Sequence, residues 1–277
     1  MSPYIEICSA VSEQLENGYQ HYVHGISGLD SRPESFSELS VLFNARPFIA
    51  DKKIVGFVHY RRIFSLNPLE KVEPVINLHF SHRFSRANLE ATFLKLYSDS
   101  IVIPLPWDQN RNLLLDFSLR HSILEDALRI ACLEFDIQTS KIFGDVDSIT
   151  ELASLSRIYP CNMWIGNEEF YKEWTSILHP VLKKIESGSL RLPDTGYQSR
   201  WAGFISERLF TVYVNLCRQT GKWNFVERPM LLFVENEITG PNYSEISMLH
   251  LVLHKFKVFL SKIKQKSHSG FRNFFKL

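Results

Sequence analysis

Two short stretches hold most of the residues whose types and spacing could do chemistry. In HYRR, residues 59–62, a histidine, a phenol and two arginines follow directly on the apolar run Ile54 to Val58. A guanidinium presents a planar fork of donors that matches a phosphate or diphosphate, so Arg61 and Arg62 suit a phosphorylated ligand, with His59 and Tyr60 beside it. Surface ion pairs for the arginines and a carbonyl cap for His59 are the plain alternative. In the second stretch, RWAGFISERLFTVYVNL (200–216), Glu207 and Arg208 fall near the first turn of a strongly apolar helix that begins after Gly203. A helix dipole favours a first-turn carboxylate with or without a function. At a cleft the same residue suits a general base, kept ionised by the dipole and by Arg208. Arg200 and Arg208 would then bind phosphate or orient the base.

Other candidates are less specific. Asn162 lies in an otherwise apolar, strand-like run, YPCNMWIG, where an unpaired amide would be costly, so it must bond to backbone or to ligand. His121 falls on a helical pattern as either a core residue or a substrate contact. His21 and His24 have i, i+3 spacing, with no Glu or Cys to complete a metal site. Asp145 and Asp147 form a D-x-D triplet of the kind that holds Mn or Mg in many nucleotide-sugar transferases, but no clear apolar strand precedes it.

These residues must be positioned by an alternation of strands and helices. Apolar runs at 4–8, 54–58, 101–105 and 163–165 read as strands. Helical periodicity occupies 37–48, 86–97, 112–135, 168–185 and 204–220, the last ending before Gly221. That alternation predicts an α/β fold with a largely parallel sheet, in which ligands bind outside the carboxyl ends of the strands. The run 54–58 delivers His59 to Arg62 to such an end, and strand alternation would send His59 and Arg61 to one face and Tyr60 and Arg62 to the other. Residues 186–199, ESGSLRLPDTGYQS, have two glycines, a proline and no apolar period, and read as a loop suited to be a lid.

At 277 residues and 45% hydrophobic, the chain can bury a large core. The N-terminal MSPYIEICSA lacks the basic n-region and long apolar h-region expected of a signal peptide, and no segment approaches the length of an uncharged apolar span. Cys8, Cys132, Cys161 and Cys217 are scattered, without metal-ligand spacing, and read as reduced thiols of a cytoplasmic protein. Net charge is +1, but residues 255–277 carry seven Lys or Arg and no acid, leaving 24 basic against 30 acidic side chains elsewhere. In that tail Ile246, Leu249, Leu253, Phe256, Leu260 and Ile263 recur at helical spacing, and GFRNFFKL closes it. This is the composition of a basic amphipathic helix on an anionic membrane surface. Nucleic acid could attract the same charges, but the rest of the chain is acidic and has no nucleic-acid motif.

Taken in order, SELSVLFNA (37–45), VGFVHYRRIF (55–64), SDSIVIPLP (98–106), RHSILEDAL (120–128), CNMWIGNEEFYKEW (161–174) and RWAGFISERL (200–209) resemble the bacterial capsular and exopolysaccharide biosynthesis glycosyltransferases long known as a domain of unknown function. The resemblance runs over about residues 18–235. It departs where Val41 to Asn44 replace the usual aromatics and Ile63 a usual tyrosine.

The resemblance implies a GT-A-like, mostly parallel sheet flanked by helices. It also implies transfer of a sugar from a nucleotide-sugar, of UDP-galactose or UDP-galactofuranose type, to a lipid-linked glycan of capsule, O-antigen or exopolysaccharide. His59 to Arg62 would stand where metal-dependent relatives keep D-x-D, so no metal would be required, with Mn or Mg on Asp145 and Asp147 as the alternative. Arg61, Arg62, Tyr60, Asn162, Arg200, Arg208 and His121 would contact substrate, with Glu207 as base and His59 assisting. Residues 1–243 would be the catalytic domain and 244–277 a membrane-associating tail, placing the enzyme at the inner face of the cell membrane. The competing expectation is a non-catalytic sugar- or nucleotide-binding subunit of a polysaccharide assembly complex.

The tail generates a test. Each cation near an anionic surface contributes about 1 kcal/mol before screening. Deleting residues 244–277 should release the protein from anionic vesicles in a low-salt sedimentation assay and leave its melting temperature unchanged. A lowered melting temperature would instead mean that the apolar stripe packs on the domain.

Overall fold

The computed structural model describes residues 4–8, 39, 42–43, 54–58, 62–64, 75–79, 97 and 99–234. The chain divides into two units, Met1–Val234 and Glu235–Leu277; the second, with the basic tail, lies outside the described residues, as do His59, Tyr60 and Arg61.

The main sheet has five strands: β1 (Tyr4–Cys8), β2 (Ile54–Val58), β5 (Ile101–Pro104), β8 (Trp164–Gly166) and β9 (Phe225–Arg228), in the order β1-β2-β8-β5-β9. β1 pairs parallel with β2 and β5 parallel with β9, whereas β8 is antiparallel to both of its neighbours. Four strands therefore point one way and the central one opposes them. This corrects the expectation of a mostly parallel sheet. Composition and period identify a strand but not its direction. Here β8 is entered from a tight turn at the edge where β2 finishes, since Trp164 pairs with Phe57, so it can only run back. Gly166 permits the close approach of β5: a Cβ there would lie 2.7 Å from Ile101 Cδ1.

A second sheet joins β3 (Arg62–Phe64), β10 (Met230–Val234) and β4 (Val75–His79), with β10 antiparallel to β3 and parallel to β4. A short ribbon pairs β6 (Trp107–Asp108) with β7 (Arg157–Ile158). Arg62 thus opens a strand of a different sheet from β2, while the alternation of faces expected along 59–62 falls outside the described residues.

Five helices are described in full. In α1 (Leu113–Arg120) the Asn112 side chain caps the N-terminus. α2 is Glu125–Phe143 and α3 is Ser148–Ser154. Asn167 caps α4 (Glu168–Glu186), and α5 is Trp201–Thr220. The single helix expected over 112–135 is two helices, broken at His121 (φ −136°, ψ 42°) and a 3-10 turn at Ser122–Leu124. The break was hidden because Leu113, Phe117, Leu124, Leu128 and Phe135 are all buried and the apolar period runs through it. α5 is the central helix: fifteen of its residues are buried, and Trp174 of α4 packs edge-on to Phe210 at 5.2 Å. Among the described residues no helix is long and apolar enough to cross a membrane.

α5 stops as its sequence requires. Gly221 adopts left-handed φ +68°, and its N–H closes on the carbonyls of Cys217 and Arg218. A Cβ at Gly221 would meet nothing within 4 Å. Gly221→Ala should therefore cost only the left-handed backbone term, about 1 kcal/mol, and Gly221→Asn less, in urea denaturation.

Candidate functional site

The candidate site is built on a backbone turn. Between β7 and β8, Pro160–Asn162 form one 3-10 turn in which Cys161 (φ 68°) and Asn162 (φ 52°) both take left-handed conformations. Such a conformation costs a non-glycine residue about 1 kcal/mol or more, so the turn persists only if its surroundings impose it.

α5 does so. Glu207 Oε1 accepts the Cys161 N–H at 2.7 Å, and the Ser206 hydroxyl donates to Asn162 Oδ1 at 2.7 Å. The Asn162 amide donates to the Gly203 carbonyl at 3.4 Å, and the Tyr159 N–H donates to Thr211 Oγ1 at 3.1 Å. Gly203, Glu207 and Thr211 recur every fourth residue and form one polar strip along the helix. Asn162 is not in a strand: it is buried, and both ends of its amide are turned to α5. Since Trp164 pairs with Phe57, the strip and turn stand at the carboxyl end of β2, where the chain leaves toward HYRR.

Behind Glu207 lies a buried charge network. Arg208 Nη1 is 3.4 Å from Glu207 Oε2 and donates to the Phe204 carbonyl, while Nη2 donates to Asp116 Oδ2 at 3.2 Å. Asp116 on α1 is wholly buried and also accepts from Arg120 Nε at 2.9 Å. The Arg208 guanidinium lies over the Phe117 ring, and its Nε is buried without a hydrogen bond. Burial lowers the Arg208 pKa, and Glu207 and Asp116 offset only part of that shift. Glu207 sits in the second turn of α5, because that helix begins at Trp201 and has no acid in its first turn. Its carboxylate accepts the Cys161 N–H and lies beside the Arg208 guanidinium, away from the N-terminal end of the helix.

His121 is buried at the α1–α2 break, its ring stacked on Phe204 at 4.2 Å. The Gln198 NH2 donates to the Arg120 carbonyl at 2.9 Å, which turns Gln198 Oε1 toward His121 Nδ1 at 2.8 Å. Nδ1 therefore carries a proton. Burial lowers the His121 pKa, which favours the neutral ring. Arg200 is the N-cap residue of α5, immediately before its first turn.

Asp147 lies elsewhere, as the N-cap of α3: its carboxylate accepts from the Thr150 N–H and hydroxyl. These bonds hold the Asp147 pKa down. Asp145 is exposed beside it. Among the described residues no group of three or more His, Cys, Asp or Glu could hold a metal ion. Among the described residues Cys132 and Cys217 form no disulfide, and burial pushes both thiols up to about 12.

Glu207, Arg208, Asn162 and His121 are thus brought onto or against one helix; Asp145 and Asp147 are not among them. Sequence reasoning missed Asp116, Gln198 and Cys161. Asp116 carried one available signal, a carboxylate on the apolar side of α1 between Leu113 and Phe117.

The described fold is an α/β sheet with a polar strip of α5 at the carboxyl end of β2. The chain belongs to the family described as Domain of unknown function (DUF4422), whose model matches residues 4–219. It is similar in fold to a solved structure, the WbbM bifunctional glycosyltransferase in its apo form, with TM-score 0.60 and 18% identity over 75% of this chain. The match spans 38% of the WbbM chain. No curated protein gives a significant match.

The buried pair supplies a test. Removing one partner of such a pair costs about 3–5 kcal/mol, whereas apolar replacement of the pair is far milder. Asp116→Asn should therefore destabilise strongly in urea denaturation, and Asp116→Leu combined with Arg208→Met should recover much of the loss.

Proposed function

We propose that the chain is a glycosyltransferase that moves a sugar from a nucleotide-sugar to a lipid-linked glycan acceptor during synthesis of a bacterial surface polysaccharide. The observation that carries this reading is the convergence of Glu207, Arg208 and the Cys161–Asn162 turn at the carboxyl edge of the sheet, at the end of the strand that leads into HYRR. Family membership and the glycosyltransferase-like fold support it.

In this reading Glu207 takes the proton of the acceptor hydroxyl. The hydroxyl oxygen bonds to the anomeric carbon, the bond from that carbon to the diphosphate breaks, and the nucleoside diphosphate leaves with the electron pair. Direct displacement of this kind inverts the anomeric centre. Arg61 and Arg62 offset the charge of the leaving diphosphate, with His59 and Tyr60 beside them, so no metal is needed. Arg208 orients Glu207, and Asn162 serves by holding the turn. Arg200 is a further phosphate contact. A UDP-hexose, of galactose or galactofuranose type, is the first donor to try, and the basic tail places the enzyme on the inner face of an anionic membrane.

A thermal-shift screen of nucleotide-sugars on the full chain identifies the donor, because a ligand that binds only the folded state raises its stability. With that donor, turnover should persist in a chelator. Glu207→Gln keeps an oxygen for the Cys161 amide and removes the basicity, so turnover should fall about 10²-fold or more while the donor's thermal shift is retained. Near-normal turnover in Glu207→Gln would make this carboxylate a holder of the turn rather than a base.

A further inference from the structure

The loop 186–199 ends in a 3-10 turn, Tyr197–Arg200, that leads into α5. Leu190 and Leu192 of the loop are packed against the core. Tyr197 is 66% exposed, yet its ring is held from beneath. Its centroid lies 4.9 Å from that of Phe204, at 38°, and 6.0 Å from that of His121, at 18°. Those two rings are themselves buried and stacked on each other, and Gln198 ties the His121 ring to the end of α1. Packing thus fixes one side of Tyr197 and leaves the rest of the ring to solvent. Its hydroxyl has no hydrogen-bond partner among the described residues.

An aromatic face fixed in this way is suited to one ligand chemistry. The ring face carries partial negative charge and large apolar area, and the C–H face of a pyranose ring is apolar and weakly positive. Because the ring is already immobilised, stacking costs little side-chain entropy, and the hydroxyl at the ring edge is left to bond a sugar hydroxyl. The location also fits. Phe204, on which Tyr197 rests, precedes Glu207 by three residues on α5, about 4.5 Å along the helix axis, so the ring that supports the platform and the carboxylate are near neighbours on the surface of one helix.

We infer that Tyr197, supported by Phe204 and His121, is the stacking platform of a sugar subsite beside Glu207, and that this sugar is the acceptor. Its assignment to the acceptor rests on the transferase reading; the sugar binding does not.

Saturation-transfer NMR on the full chain, with the methyl pyranosides of glucose, galactose, mannose and N-acetylglucosamine as probes, tests the platform without turnover. At least one probe should bind the wild type, with transfer strongest to the protons of one C–H face. Tyr197→Phe should stay within a few-fold of the wild type. Tyr197→Ala and Tyr197→Leu, the latter keeping apolar packing on Phe204, should each bind about tenfold more weakly or worse, with the thermal shift by UDP-galactose unchanged. Absence of pyranoside binding by the wild type, or equal binding by either aliphatic variant, overturns the platform. Pyranoside binding lost in the aliphatic variants, together with no stabilisation by any nucleotide-sugar, would uphold the platform and overturn the transferase reading.

Discussion

The hydrogen bond from the Cys161 N–H to Glu207 is the contact on which the rest of this edge of the protein depends. Two successive non-glycine residues in left-handed conformation are unfavourable alone, and a charged acceptor compensates more than a neutral one. Once the turn is closed, the chain that left β7 is aimed back along the sheet, and β8 enters between β2 and β5 against their direction. The mixed sheet and the position of Glu207 thus have one cause. A carboxylate bound to a backbone amide is also held in a single orientation, which is what the proposed role of Glu207 as a base would require.

That arrangement places charge inside the protein, and the network answers it in sequence. Glu207 is part-buried and lies near Arg208; Arg208 is almost wholly buried and is bonded to Asp116; Asp116 is bonded to Arg120, which reaches solvent. Each buried charge has an opposite one next to it, and the chain of ions ends at the surface, where water takes over the solvation. Hydrophobic residues of similar volume often fill such a space with little loss of stability. The ions therefore argue for a demand other than stability, and fixing the Glu207 carboxylate is one that they meet.

Much of the fold was legible and much of the site was not, for different physical reasons. β1, β2 and α4 follow from apolar runs and period, and the end of α5 follows from Gly221, because each depends on its own residues. The direction of β8, the break at His121 and the turn at Cys161–Asn162 depend on partners far along the chain. Residue 161 meets 207, 116 meets 208 and 121 meets 198. Glu207 and Arg208 could be picked out by type, but the first-turn dipole offered as the reason was wrong by one helical turn. The D-x-D triplet was legible in a local sense that its chemistry obscured: Asp147 followed by Ser148-Ile149-Thr150 is a helix cap.

The phase of α5 joins these features. At about 100° per residue, Ser206, Gly203, Glu207 and Thr211 fall on one side of the helix and face the turn. Phe204 and Arg208 fall on the adjoining side and face α1 and His121. Trp201, Ile205, Leu209, Val212 and Leu216 fall opposite, in the core. The core stripe fixes the rotation of the helix, because turning it by one residue would bring Glu207 and Arg208 toward apolar surroundings and expose large aliphatic side chains. Apolar burial spread over about four turns therefore sets the angle at which Glu207 meets the Cys161–Asn162 turn and Phe204 meets His121, and residues remote from that turn hold its geometry.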